Sequence, residues 1–158
     1  MIKMLIDPNF YSSLTALATV ILFCVAWKQL EKISKQTRAD FLFRFDREFF
    51  GNKKNQKIIR SIEEKEKLLK QNGGKFDEYD LDDYLGYFNM MKKFVDEKLI
   101  NFKFIDDSFG HYIVRAWENE EIKIYIRGLR VESNDYRYYE SFEIIAKRII
   151  NKERKIRV

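Results

Sequence analysis

The chain holds one cysteine, Cys24, so neither an internal disulfide framework nor a multi-cysteine metal site can be built from it. One histidine, His111, excludes multi-histidine metal centres and leaves little for acid–base chemistry. One proline and six glycines in 158 residues rule out a collagen-like or Pro/Gly-rich disordered chain. No internal repeat or low-complexity linker breaks the sequence. What is there is core material, 46% hydrophobic and 16% aromatic, with a mild basic excess of net charge +5. That length and composition fit one ordinary domain.

Charge is also missing locally. Residues 8–27 carry none, between Asp7 and Lys28. At ~1.5 Å per residue the run spans roughly 30 Å, the thickness of a hydrocarbon core, and predicts a transmembrane helix. Asp7 followed by Pro8 suits a helix start, because the carboxylate accepts an orphan N–H and proline fixes φ where no donor is needed. The run is only moderately apolar, since Asn9, Ser12, Ser13, Thr15 and Thr19 interrupt it, which leaves a buried soluble helix as the competitor. Soluble helices of this length normally carry charges on one face. Ala16-Leu17-Ala18 resembles a signal-peptide cleavage site, yet the most hydrophobic stretch, 20–27, follows it rather than preceding it.

Lys3 alone precedes the span, whereas Lys28, Lys32, Lys35, Arg38, Arg44 and Arg47 follow it. The positive-inside rule then places residues 1–7 outside the plasma (inner) membrane and the body of the chain in the cytoplasm. Tyr11 and Trp27, with Lys28, Lys32 and Lys35, are the expected interface residues. Ser12, Ala16, Thr19 and Ala26 share a helix face, and small or hydroxylated residues let helices approach closely in lipid. A homo-oligomer, and in a stronger version a pore lined by this stripe, is one reading. The other is a single anchor whose hydroxyls bond back to their own helix.

No proline or glycine lies between Pro8 and Gly51, so the anchor is expected to continue as a membrane-proximal helix over 28–50. Leu30, Ile33, Thr37, Phe41, Phe45 and Phe49 keep helical spacing, and Gly51-Asn52 is the expected left-handed stop. Residues 51–158 then read as a helical cytosolic domain. A second helix is expected over 54–71, ended by Asn72-Gly73-Gly74. A third is expected from an Asp80 cap, carrying Leu81, Tyr84, Leu85, Phe88, Met91, Val95 and Leu99. Asp106-Asp107-Ser108 is the expected start of a fourth helix, and Ser133-Asn134 the cap of a last one. Residues 122–127 alternate as a strand would, but a lone strand has no partner in a helical chain, so helix is preferred. The fold class is therefore all-α: a transmembrane helix running on into a long cytosolic helix, then a small helical bundle.

Residue supply argues against an enzyme. Cys–His catalysis would pair His111 with Cys24, which sits in the expected membrane span. His111, four residues before Arg115 and soon after Asp106 and Asp107, is expected to make a hydrogen bond or salt bridge on a helix surface. An Arg followed by His four to six residues on is absent, because positions 105–107 are Ile, Asp and Asp. Asn72-Gly73-Gly74-Lys75 follows a helix and matches no phosphate-binding loop, and Asp80, Asp82 and Asp83 read as capping residues. No cofactor and no metal is expected. Arg127, Arg130, Arg137, Tyr136, Tyr138 and Tyr139 interleave cations with aromatics, a surface for a protein or RNA partner. Nearly equal acids elsewhere weaken the field and argue against nucleic acid. The segment 147–158 carries a net +5, a basic tail that could meet an anionic leaflet or remain a soluble terminus.

The order of features resembles a known family. An uncharged span, then Trp27-Lys28-Gln29-Leu30, Gln36-Thr37-Arg38-Ala39-Asp40-Phe41 and Phe45-Asp46-Arg47-Glu48-Phe49-Phe50, looks like a family of small bacterial and phage proteins whose domain is of unknown function. Tyr84-Leu85-Gly86-Tyr87-Phe88-Asn89, Phe109-Gly110, Trp117 and the stretch 138–142 sit in similar places. The resemblance implies a membrane anchor with an all-helical cytosolic domain and no catalytic residues to carry over. A more distant likeness, of architecture only, is to the membrane accessory protein of type VI-B CRISPR systems, which implies an oligomeric pore in antiviral defence. The expectation is thus a non-enzymatic, self-associating membrane protein that alters permeability during phage defence. The alternative is a membrane-tethered module that binds a partner through its aromatic and basic C-terminal surface.

Overall fold

The computed structural model describes the backbone of residues 8–156 and the side chains of 17–155. The expected outward segment 1–7, and the side chains of Tyr11, Ser12 and Ala16, lie outside the described residues. Six α-helices follow in order: α1 (Pro8–Gly51), α2 (Lys53–Glu63), α3 (Glu78–Asp96), α4 (Phe102–Glu118), α5 (Glu120–Glu132) and α6 (Glu140–Ile156). A short 3-10 turn, Lys70–Asn72, joins α2 to α3. Among the described residues the only strand-like feature is an isolated bridge between Leu69 and Phe76, so the chain is all-α. Residues 122–127 are helix within α5, where Ile122, Tyr125 and Ile126 face the core.

Two compact units divide the chain, Met1–Phe41 and Leu42–Val158. In the first, every described side chain from 17 to 40 is exposed. The second is a helical domain in which α6 packs against α3 and α4, and α2 against α3 and α4. The last turns of α1 supply Phe45 and Phe49 to its core, and Phe49 is fully buried. Its ring lies 5.8 Å from Tyr84, 5.5 Å from Phe88 and 5.4 Å from Phe109, within the range at which aromatic pairs attract. Leu81, Leu85, Met91, Ile105, Ile113, Phe142 and Ile145 complete the interior.

Several helix ends differ from expectation, each for a local reason. Gly51 and Asn52 do not form a left-handed stop. Asn52 is extended at φ −74° and caps α2 by accepting the Lys54 N–H at 2.9 Å. Asn55, buried, donates its amide to the Phe49 carbonyl at 3.1 Å, and Gln56 donates to that of Phe50 at 2.5 Å. These carbonyls at the end of α1 are thus met by α2 side chains rather than by a glycine turn.

The second helix ends at Glu63, well before residue 71. Lys65 takes a left-handed φ of 57°, its N–H bonds the Ile62 carbonyl at 3.2 Å, and the Glu66 N–H bonds that of Ser61 at 2.9 Å. This is a Schellman closure built on lysine, which residue preferences do not flag. Lys98 (φ 56°) closes α3 in the same way, with Leu99 N–H bonding the Phe94 carbonyl, so Leu99 falls past the helix and is exposed.

The cap of α3 is Asp77 and not Asp80, which is instead its partner in a capping box. The start of α4 is capped by Asn101, earlier than Asp106. Ser133 and Asn134 end α5 rather than begin α6, with Asn134 left-handed at φ 52°. For α3 and α4 the sequence offers more than one Asp or Asn able to cap. Which one does is decided by where the helix must begin to present its apolar face.

Candidate functional site

Three places in the described residues carry features beyond packing. The first is α1 itself. Leu17, Val20, Ile21, Leu22, Phe23, Val25 and Trp27 lie on all sides of the helix, each about half to two-thirds exposed, and no charge occurs among residues 17–27. Phe23 and Trp27 lie one turn apart with ring centroids at 6.3 Å. Of the expected self-association stripe, Thr19 and Ala26 are described and exposed. Lys28, Lys32 and Lys35 follow, all exposed, with Lys35 paired to Glu31 at 2.7 Å. Lys35 sits beside that carboxylate, so the Glu31 carboxyl is held below its ordinary value. Among the described residues no helix is long and apolar enough to cross a membrane, and of the expected span 8–27 the described side chains cover only 17–27.

The second place is a hollow of about 410 Å³ between α4 and α6, lined by His111, Val114, Arg115, Glu118, Ile150, Glu153 and Arg154. Its two arginines face two glutamates, which leaves no strong field of one sign. His111 Nε2 lies 3.6 Å from Glu63 Oε1, and both side chains are about half exposed. The expected salt bridge of His111 is thus made, to a carboxylate on α2 rather than to Asp106 or Asp107 of its own helix. No serine, cysteine or threonine lines the hollow. Among the described residues no group of three or more His, Cys, Asp or Glu is placed to hold a metal ion.

The third is a polar clasp between three segments. Asp82 Oδ1 on α3 accepts the hydroxyl protons of Tyr125 at 2.7 Å and Tyr139 at 2.5 Å. Burial first, and then the hydrogen bond to that carboxylate, push both phenols well above their ordinary range. Asp82 is thus more than a capping residue. Its partners stand 43 and 57 residues away, so no local pattern could reveal the contact. A fourth polar group, Asp80, is buried, and its carboxylate pairs with Lys54 of α2. The Lys54 ammonium holds the Asp80 carboxyl below the usual aspartate range against the opposing effect of burial.

The expected partner surface is divided by the same clasp. Tyr139 is half-buried against Asp82. Arg130 donates to the Tyr138 carbonyl at 2.9 Å and to Glu143 at 2.8 Å, and Arg137 pairs with Asp135 at 3.0 Å. Arg127 bonds the Lys123 carbonyl of its own helix. Tyr136 and Tyr138 remain exposed. Most of the cations in this cluster therefore serve the turn between α5 and α6. In the basic tail, Lys152 pairs with Asp106 and Arg148 lies 3.8 Å over the Phe102 ring, which fastens α6 to α4.

The chain thus holds a helical domain over residues 42–158 that follows, in sequence, an exposed apolar stretch of α1. Residues 12–149 match DUF4760, a domain of unknown function, and the chain belongs to that family. No curated protein and no solved structure matches the chain significantly.

Proposed function

We propose that this protein is a non-enzymatic, single-pass membrane protein whose N-terminal helix anchors the helical domain on the cytoplasmic face and associates with other copies. One observation carries this reading: seven large apolar side chains between Leu17 and Trp27 are exposed around the whole circumference of α1. Burying such side chains is worth ~1.5–3 kcal/mol each, so leaving the set in water forgoes on the order of 10 kcal/mol. A bilayer recovers it without a protein partner on every face. Trp27 followed by Lys28 is the aromatic-then-cationic order of a membrane exit, and the lysines that follow favour the cytoplasmic side. Altered permeability in phage defence is the further step suggested by likeness to the CRISPR accessory, and it stands behind anchoring because architecture alone supports it.

The test is fractionation of the full chain expressed in a bacterium. The protein should pellet with membranes and resist alkaline carbonate, and the double substitution Ile21→Lys, Leu22→Lys should release it. Intact wild-type chain remaining in the supernatant as a monodisperse species would remove the reading.

A further inference from the structure

The charges of α1 after Trp27 are not distributed evenly around the helix. In a seven-residue repeat with Leu30 at position a, Lys28 and Lys35 fall at f, Glu31 and Arg38 at b, and Lys32 at c. The a and d positions are Phe23, Ala26, Leu30, Ile33 and Thr37, preceded by Thr19. The flanking e and g positions are Trp27, Gln29, Ser34 and Gln36, none of them charged. Five charges thus keep to the far side, and the Glu31–Lys35 ion pair lies there too. Leu30 and Ile33 are 65% and 57% exposed, so among the described residues these two apolar positions are left uncovered. The pattern ends at Asp40, a charge at the next d position, just before the helical domain begins at Leu42.

Lipid does not account for this arrangement, because a 3-4 spacing continued past Lys28 lies beyond the uncharged stretch. Past Lys28 the charges up to Arg38 keep to b, c and f while a, d, e and g are uncharged, so a second helix of the same kind can meet this face at Leu30 and Ile33 with no like charges across the seam. We propose that α1 docks against α1 of further copies of this chain, in register, along Thr19, Phe23, Ala26, Leu30, Ile33 and Thr37. That the copies run parallel rests on the anchoring reading, which puts every N-terminus on the same side. The seam continues from the membrane stretch into water, so close packing at Ala26 and apolar packing at Leu30 and Ile33 belong to one interface.

The test uses membranes from cells expressing the full chain with Cys24→Ser and one new cysteine at a time. Copper-phenanthroline oxidation should give linked dimers for Leu30→Cys, Ile33→Cys and Thr37→Cys, several-fold above Glu31→Cys, Lys32→Cys and Lys35→Cys. Equal linking at all six positions, or none at the first three, overturns the seam. In the otherwise native chain, Ile33→Asp should lower the particle mass in mild detergent to a single copy while the helical circular dichroism is kept; an unchanged mass also overturns it. Carbonate fractionation of the same cells reads anchoring separately, so a failed seam and a failed anchor give different results.

Discussion

Glu121, in the first turn of α5, accepts the backbone N–H of Leu68 at 2.8 Å across 53 residues of sequence. The same carboxylate takes the Leu69 N–H at 3.1 Å and the Asn72 amide at 2.6 Å. One side chain therefore satisfies donors of the turn that buries Leu68 and Leu69. Glu121→Ala should lower stability to urea by ~1–3 kcal/mol, since it leaves part-buried N–H groups without an acceptor.

The same contact has a pH signature. Burial raises the Glu121 carboxyl, but the N–H of Leu68, the Asn72 amide and the N–H of Leu69 outweigh it and hold the group below 4.5. A carboxyl depressed in the folded state contributes stability above its unfolded pKa and loses it as pH falls through the folded value. The stability gap between wild type and Glu121→Ala should be full at pH 7 and should narrow below about pH 4.5, as read from urea midpoints.

The Asp82 clasp gives the opposite, alkaline dependence. Tyr125 and Tyr139 are raised above 10.0 in the folded chain, so above that pH the unfolded chain sheds protons that the folded chain retains. Stability should fall as pH rises beyond about 10, and Tyr125→Phe with Tyr139→Phe should flatten that fall. Near neutrality each substitution should cost about 1 kcal/mol for the lost hydrogen bond. Tyr139 should be the more sensitive, because its backbone sits at φ 55° and the clasp helps to hold it there.

Two glycines should respond in opposite directions. A Cβ on Gly74 would come within 2.3 Å of the Leu68 backbone, so Gly74→Ala must force the turn open and lower the melting temperature. Gly86 lies within α3 with nothing within 4 Å of an added Cβ, and Gly86→Ala should stabilise by ~0.5–1 kcal/mol. Differential scanning calorimetry of the two variants separates close approach from helix entropy.

Phe43 and Phe49 are both on α1 but differ in environment. Phe49→Ala removes a ring with no exposed surface and should cost ~3–5 kcal/mol, while Phe43→Ala, 67% exposed, should leave the urea midpoint nearly unchanged. Equal effects would mean that α1 packs differently from the description above.

Much of the helical domain was legible because its apolar residues recur at three and four. Leu81, Tyr84, Leu85, Phe88 and Met91 were placed on one buried face by spacing alone, and they are buried. Residues 122–127 alternate as a strand would, and it is the lack of a partner strand in a helical chain, not their spacing, that points to the helix they form. Helix ends were read less well, since Lys65 and Lys98 adopt left-handed closures that carry no residue signature. At the candidate sites, the surface salt bridge expected of His111 is present, but its carboxylate is Glu63 of α2 rather than Asp106 or Asp107 of its own helix. In the cationic cluster from Arg127 onward, Arg130 pairs with Glu143 and Arg137 with Asp135, contacts that its spacing does not announce.

Helix type, the buried face of each helix and the uncharged stretch before Lys28 follow from the order of residues, because periodicity and charge act over one or two turns. The pairing of Asp82 with two tyrosines, of Glu121 with Leu68 and of Lys152 with Asp106 was decided only by tertiary structure. Those contacts join segments tens of residues apart, and a polar side chain finds its partner only after apolar packing has brought the helices together.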